Sequence, residues 1–182
     1  CAIRRINADG AGNWVADFSV PGAGSDPDEQ RLFDITPGTG NEVRQPDDDG
    51  DHTDIDWYVL NPNMQVFVTQ DRIEAREWPL GNEVILTIER PSTTKSPDYT
   101  TSLVVGPASW NPDENAAEFD LNGIFHYQVG DIIKVSDGSL TKTHTVLKVA
   151  VSAVDPVTEI ITGTASAGAV VQLEIFQGGA PY

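Results

Sequence analysis

Apolar residues recur at every second position through most of this chain, the spacing of strands that bury one face in a sheet. Asn82–Arg90 is the clearest case, with Val84, Leu86 and Ile88 on one side. Met64, Val66 and Val68 alternate with Gln65, Phe67 and Thr69, and Tyr99, Thr101, Leu103 and Val105 share another face. Shorter runs at Arg31–Thr36, Trp57–Leu60, Ala117–Leu121, Ile124–Val129 and Asp131–Ser136 read as strands too. Asp71–Leu80 is mixed, anchored by Ile73 and Trp78. Between the runs stand Asn61-Pro62-Asn63, Asn122-Gly123 and Asp137-Gly138, the last being the dipeptide that most strongly marks a hairpin. Ser139–Val154 reads as the return arm of that hairpin. Its second half, Val146–Val154, is almost continuously apolar, which predicts a strand at the centre of a sheet. No window shows a helical period. Ser25–Leu32 predicts a single helical turn, with Ser25 as N-cap and Pro27 in the first turn.

The two ends each read as half of one motif. Glu159–Thr164 is short and β-branched, Ala165–Gly168 is a turn, and Ala169–Gln177 alternates with Val171, Leu173 and Ile175 on one face. At the other end Ala2–Asn7 reads as a strand, Asp9-Gly10-Ala11-Gly12 as a turn, and Trp14, Ala16, Phe18 and Val20 as the buried face of a strand ending at Pro21. With the C-terminal half placed first, the series Gly163-Thr164-Ala165-x-x-Gly168-Ala169-x-Val171, strand, Asp9-Gly10-x-Gly12-Asn13-Trp14, strand resembles the bacterial Ig-like repeats of large extracellular surface proteins. In those repeats the Gly-Thr-Ala half precedes the Gly-Asn-Trp half, so the order here is reversed.

The pattern therefore predicts an all-β chain: an Ig-like sheet formed from the joined termini (1–20 and 158–182) and an inserted β-sandwich (21–157). Three routes join the halves. They meet within one chain, or the tail of one subunit completes the sheet of the next by strand addition, or the joint is covalent in a tandem array. The last two make a head-to-tail filament. In either, Val171, Leu173 and Ile175 are expected to pack against Trp14, Phe18 and Val20.

Charge narrows the partners. The formal net charge of the 182-residue chain is −17, from 28 acids and 11 bases. Nucleic acid needs clustered Lys and Arg, so it is a poor partner, and anionic lipid is disfavoured likewise. No run is long and apolar enough for a membrane-spanning helix. Cys1 is the single cysteine and forms no intrachain disulfide. A lipid-bearing cysteine usually leads into a polar tether, whereas a strand pattern starts here at once.

Asp47-Asp48-Asp49-Gly50-Asp51-His52-Thr53-Asp54 is the best site candidate. Acids at Asp47, Asp49, Asp51 and Asp54 place carboxylates around one loop, and Ca²⁺ takes six to eight oxygens. The spacing is not that of an EF-hand, because Tyr58 stands where the bidentate Glu belongs. The competing reading is a solvated acidic turn within an acidic loop, Asn41–Asp56. His52, His126 and His144 lie in no metal-spacing motif. No nucleophile elbow or phosphate loop is present, so no enzymatic activity is expected. Trp14 and Trp57 read as core. Trp78 and Trp110, near Pro-containing loops, are the plausible platforms for stacking on sugar rings. The expected function is thus an extracellular, cell-surface structural subunit or repeat that binds copies of itself. The alternative is a carbohydrate-binding β-sandwich module.

Overall fold

The computed structural model describes residues 1–175. The chain divides into two compact units, Cys1–Pro62 and Asn63–Tyr182. Both are built from antiparallel strands. One four-residue turn of helix is the only helix among the described residues, and none is long and apolar enough to cross a membrane.

In the second unit, strict alternation becomes a β-sandwich. One sheet has the order β10-β9-β5-β6, from β5 (Glu83–Glu89), β6 (Tyr99–Val104), β9 (Ile132–Ser136) and β10 (Thr141–Thr145). The other has the order β3-β4-β8-β7, from β3 (Asn63–Phe67), β4 (Arg72–Arg76), β7 (Gly106–Pro107) and β8 (Asn115–Asp120). Val84, Leu86 and Ile88 are fully buried and pair across the ladder, Leu86 with Val135 and Ile88 with Ile133. From the other sheet, Ile73 pairs with Phe119 and Ala75 with Ala117. These side chains join Trp78, Tyr127, Val105, Leu121 and Val146 in one core. Each fully buried Leu, Ile or Phe contributes about 1.5–3 kcal/mol of transfer free energy, so this cluster carries the unit.

The Asp137-Gly138 hairpin forms as the sequence predicts, but its return arm is not one strand. β10 ends at Thr145, and Val146 drops into the core with its N–H on the Asp131 carbonyl. The chain then leaves the sandwich as β11 (Val149–Asp155), which among the described residues pairs only with β12 (Ile160–Ala165). The expected central strand is therefore one arm of a two-stranded ribbon. The expected domain boundary at 157/158 falls inside this hairpin. Ile124–Val129 is also not a strand. Leu121 turns the chain there, and Tyr127 is buried with its hydroxyl donating to the Phe67 and Arg72 carbonyls at 2.8 and 2.9 Å.

In the first unit, β1 (Gly40–Pro46) and β2 (His52–Tyr58) form an antiparallel hairpin, so most of the predicted acidic loop is strand. The predicted helical turn is α1 (Pro27–Gln30), capped by Asp26 rather than Ser25: the Asp26 carboxylate accepts the Asp28 N–H at 2.9 Å. The strands expected at 2–7, 14–20 and 31–36 do not form. Arg4 explains why. Its five N–H groups donate to five backbone carbonyls: Ile3, Asp17, Val20, Glu29 and Arg31, at 2.7–3.0 Å. A guanidinium has five donors in a fixed fork, so the set is saturated. Carbonyls that a ladder would use are bound to one side chain, and the segment folds around it. Gly22 fits because its N–H reaches the Glu29 carbonyl at 2.8 Å, where an added Cβ would lie 2.8 Å from that same oxygen.

Candidate functional site

The β11–β12 ribbon has almost no buried side chain. All seven residues of β11 are exposed, although their sequence is that of a central strand. Val149, Val151 and Val154 lie between 62 and 65 % exposed, and Val157 and Ile160 add to the apolar surface. The pairing is tight nonetheless. The register shifts between Val151 and Ala153, and at that bulge Gly163 approaches so closely that a Cβ would strike the Ala150 carbonyl oxygen. This is the physical reason for the Gly of the Gly163-Thr164-Ala165 motif. Beyond it Ala169 donates to the Ser166 carbonyl at 3.1 Å, closing the predicted turn.

Val171, Leu173 and Ile175 follow, exposed by 58, 55 and 77 %. Through residue 175 the expected strand at 169–177 does not form, and residues 176 and 177 lie outside the described residues. Among the described residues the chain here has no ladder partner. A groove of about 300 Å³ opens beside it, lined by apolar side chains of Val66, Val68, Val146, Leu147, Val149 and Val171, with His144 and Lys148 at its rim.

In the first unit the predicted turn is present: Asp9 accepts the Ala11 and Asn13 N–H groups, each at 2.9 Å, through one carboxylate oxygen. These bonds hold the Asp9 carboxyl below the usual range, the Asn13 N–H first. Trp14 and Val20 are each 51 % exposed, against the expectation that Trp14 is core. Phe18 is half-buried, with the Arg4 guanidinium 4.6 Å from its ring centroid. Trp57 is half-buried on β2.

The acidic residues sit at the tip of the β1–β2 hairpin, where Asp47 N–H donates to the Asp51 carbonyl at 2.8 Å. Carboxylate oxygens of Asp47, Asp49 and Asp51 lie within 4.8 Å of one another, all exposed. Hydrogen bonding with the Asp49 side chain, then N–H groups of 49–51, holds the Asp47 carboxyl below its ordinary value. Asp54 does not join them. It stands on β2, where Arg44 Nε binds it at 2.9 Å and His52 Nε2 lies 3.3 Å away. Three carboxylates give half or fewer of the oxygens that Ca²⁺ takes, so water would complete any shell.

Of the two predicted sugar platforms, Trp78 is fully buried, its indole N–H donating to the Asn63 carbonyl at 3.2 Å. It cannot stack on a ligand. Trp110 is 36 % exposed, but Arg76 covers its ring at 4.3 Å and its N–H is held by Glu114 at 2.9 Å. Arg76 belongs to a row that the sequence reading passed over. Glu74 on β4 is fully buried between Arg72 and Arg76, and Arg72 in turn covers the Phe67 ring at 4.5 Å. The signal was present in Arg72-Ile-Glu-Ala-Arg76, a period-2 alternation hidden because its outward positions are charged. Comparison with family models, with curated proteins and with solved structures returned no match.

Proposed function

We propose that this protein is an extracellular structural subunit or repeat of a head-to-tail surface filament, joined by strand complementation or by covalent tandem continuation. The observation that carries the reading is β11: a strand of central-sheet composition that among the described residues finds one neighbour and leaves every side chain exposed. An isolated two-stranded ribbon is marginal in water, and an open apolar edge invites pairing with another chain. The first unit offers the complementary lack, a Gly-Asn-Trp segment with exposed Trp14 and Val20 and no ladder. Completing one with the other restores the order of the Ig-like repeat that both resemble. A hydrated divalent cation at the β1–β2 tip is part of this reading, relieving repulsion among Asp47, Asp49 and Asp51.

Electron microscopy beside denaturing electrophoresis tests it. Filaments that fall to a band near 20 kDa on boiling mean complementation between separate subunits, and filaments with only very large bands mean a covalent array. A monodisperse monomer at every concentration refutes the filament. Glycan titration then becomes the next experiment, with Trp110 as the remaining aromatic contact.

A further inference from the structure

The open side of the sandwich places lysines beside an apolar groove. β10 and β3 are the edge strands of their sheets, and the apolar groove takes its lining from both edges. On β10, Lys142 stands directly opposite Val135 and His144 opposite Ile133, both of them core residues. Directly paired residues project to the same face of a sheet. Lys142 and His144 thus face the layer between the sheets, on an edge that is not closed. Lys148 stands at the groove itself. Lys134, opposite Thr143, faces the other side of the sheet and binds Glu89 at 3.0 Å, so the positive charge on this side comes from Lys142 and Lys148. In a protein of charge −17 these two place a local positive charge beside an apolar groove.

The chain itself contains a segment of opposite character. Of the five acids in residues 6–30, Asp26, Asp28 and Glu29 are paired with Arg5 and Arg31, while Asp9 and Asp17 stand on either side of Trp14. Within this segment Trp14 and Val15 are 51 and 82 % exposed, and among the described residues neither these two nor Ala16 makes a backbone hydrogen bond. Their N–H and C=O groups are open to a strand edge, between the acids Asp9 and Asp17. A groove of about 300 Å³ is at the lower end of the range that buries a ligand, the scale of one large side chain with its neighbours.

We infer that this groove receives the Asn13–Val20 segment of a second copy of the chain, with Trp14 as the anchor and Lys142 and Lys148 steering its acidic flanks. The inference rests on the filament reading and specifies its joint. Inward-pointing charge on an edge strand also blocks indiscriminate pairing. Here the same lysines would reject neutral or basic strands and admit an acidic one, which is specificity through repulsion as well as attraction. Because the groove and the segment are different surfaces, the contact is heterologous and does not close on itself.

The test uses the full chain in sedimentation velocity and electron microscopy. Wild type is expected to assemble at low salt and to weaken about tenfold or more on moving to 0.5 M salt, where exposed charges are screened. Trp14→Asp leaves the groove intact, and Lys142→Glu with Lys148→Glu leaves the segment intact. Each variant alone should stay monomeric. Mixed one to one, they hold one competent joint and should stop at a dimer. Trp14 lies outside the buried core and Lys142 is half-buried at its edge, so the folding of each variant is checked by its thermal transition, which should match wild type. If wild type makes filaments and either variant makes them as readily, this joint is wrong while the filament stands. Monomeric variants whose mixture gives no dimer overturn the pairing of these two surfaces. Wild type that stays monomeric in low salt overturns both the joint and the filament.

Discussion

Replacing Arg4 should dissolve the fold of residues 1–33 while leaving the sandwich intact. Its guanidinium binds five carbonyls, of which Ile3 and Glu29 are partly buried and Asp17, Val20 and Arg31 are exposed. Hydrogen bonds to a charged group contribute roughly 1.5–3 kcal/mol each when shielded, so the two partly buried ones supply about 3–6 kcal/mol. The exposed three and the contact with Phe18 add about 1 kcal/mol together, since water competes for them. Arg4→Met should therefore cost about 4–7 kcal/mol locally. Little apolar burial offsets this in the segment, where Ile6, Trp14, Val15, Val20, Leu32, Phe33 and Ile35 are all exposed. Arg4→Lys keeps the charge but at most three donors, and should fall about halfway. The assay is amide hydrogen exchange at Ile3, Gly22 and Phe33, whose N–H groups bind the Asp28, Glu29 and Phe18 carbonyls. Protection there should be lost in Arg4→Met and reduced in Arg4→Lys, with exchange in β5 and β9 unchanged. Unchanged protection at those three amides would refute the claim that one side chain organises the segment.

Three further outcomes are expected. Trp78→Phe keeps most of the buried volume but removes the indole N–H bond to the Asn63 carbonyl, so it should lower stability by about 0.5–1.5 kcal/mol in chemical denaturation, with glycan titrations unaffected; a selective loss of sugar binding would return Trp78 to the surface. The Leu140 N–H, followed by the Ser139 hydroxyl and N–H and the Asn82 amide, lowers the Asp137 carboxyl to about 2. A depressed carboxyl stabilises the fold above its unfolded value near 4 and loses that contribution as pH falls toward 2. Carboxyl NMR should follow the titration, and a midpoint near 4 would show that the turn does not hold it. Calcium should bind the hairpin tip weakly, at about 0.1–1 mM, in calorimetry. Asp49→Asn should abolish that heat and Asp54→Asn, whose carboxylate is already held by Arg44, should not; equal loss in both would restore Asp54 as a ligand.

Period-2 alternation was a reliable guide where the buried face was apolar and the chain had a sheet to join. Val84, Leu86 and Ile88, or Ile133 and Val135, are pinned because a one-residue slip would turn the whole set to solvent. β4 was overlooked for the opposite reason. Its outward face carries Arg72, Glu74 and Arg76, whose mutual pairing and cover over Phe67 and Trp110 let charge sit on a buried face. The acidic tip was legible from spacing, but not which acids share it, because Asp54 is claimed by a cross-strand arginine whose partner register cannot be read locally. Nothing in the pattern around Arg4 announces five carbonyls converging from 3 to 31, since that convergence exists only after folding.

The strands that failed to form are instructive in a different way. Trp14–Val20 and Val171–Ile175 alternate as well as β5 does, yet neither is a strand in the described residues, and β11 is a strand without a layer. Local pattern specifies which face of a strand wants burial; it does not supply the neighbour. A sequence that keeps such alternation at a surface either carries an aggregation hazard or meets its neighbour outside the chain as drawn. The two cases differ in charge. Hazardous edges are apolar and neutral, whereas Trp14 stands between Asp9 and Asp17 and Lys148 lies at the groove. Opposite signs on two incomplete surfaces are what selective pairing needs and what indiscriminate aggregation lacks, and they add to the exposed β11 ribbon on which the head-to-tail reading rests.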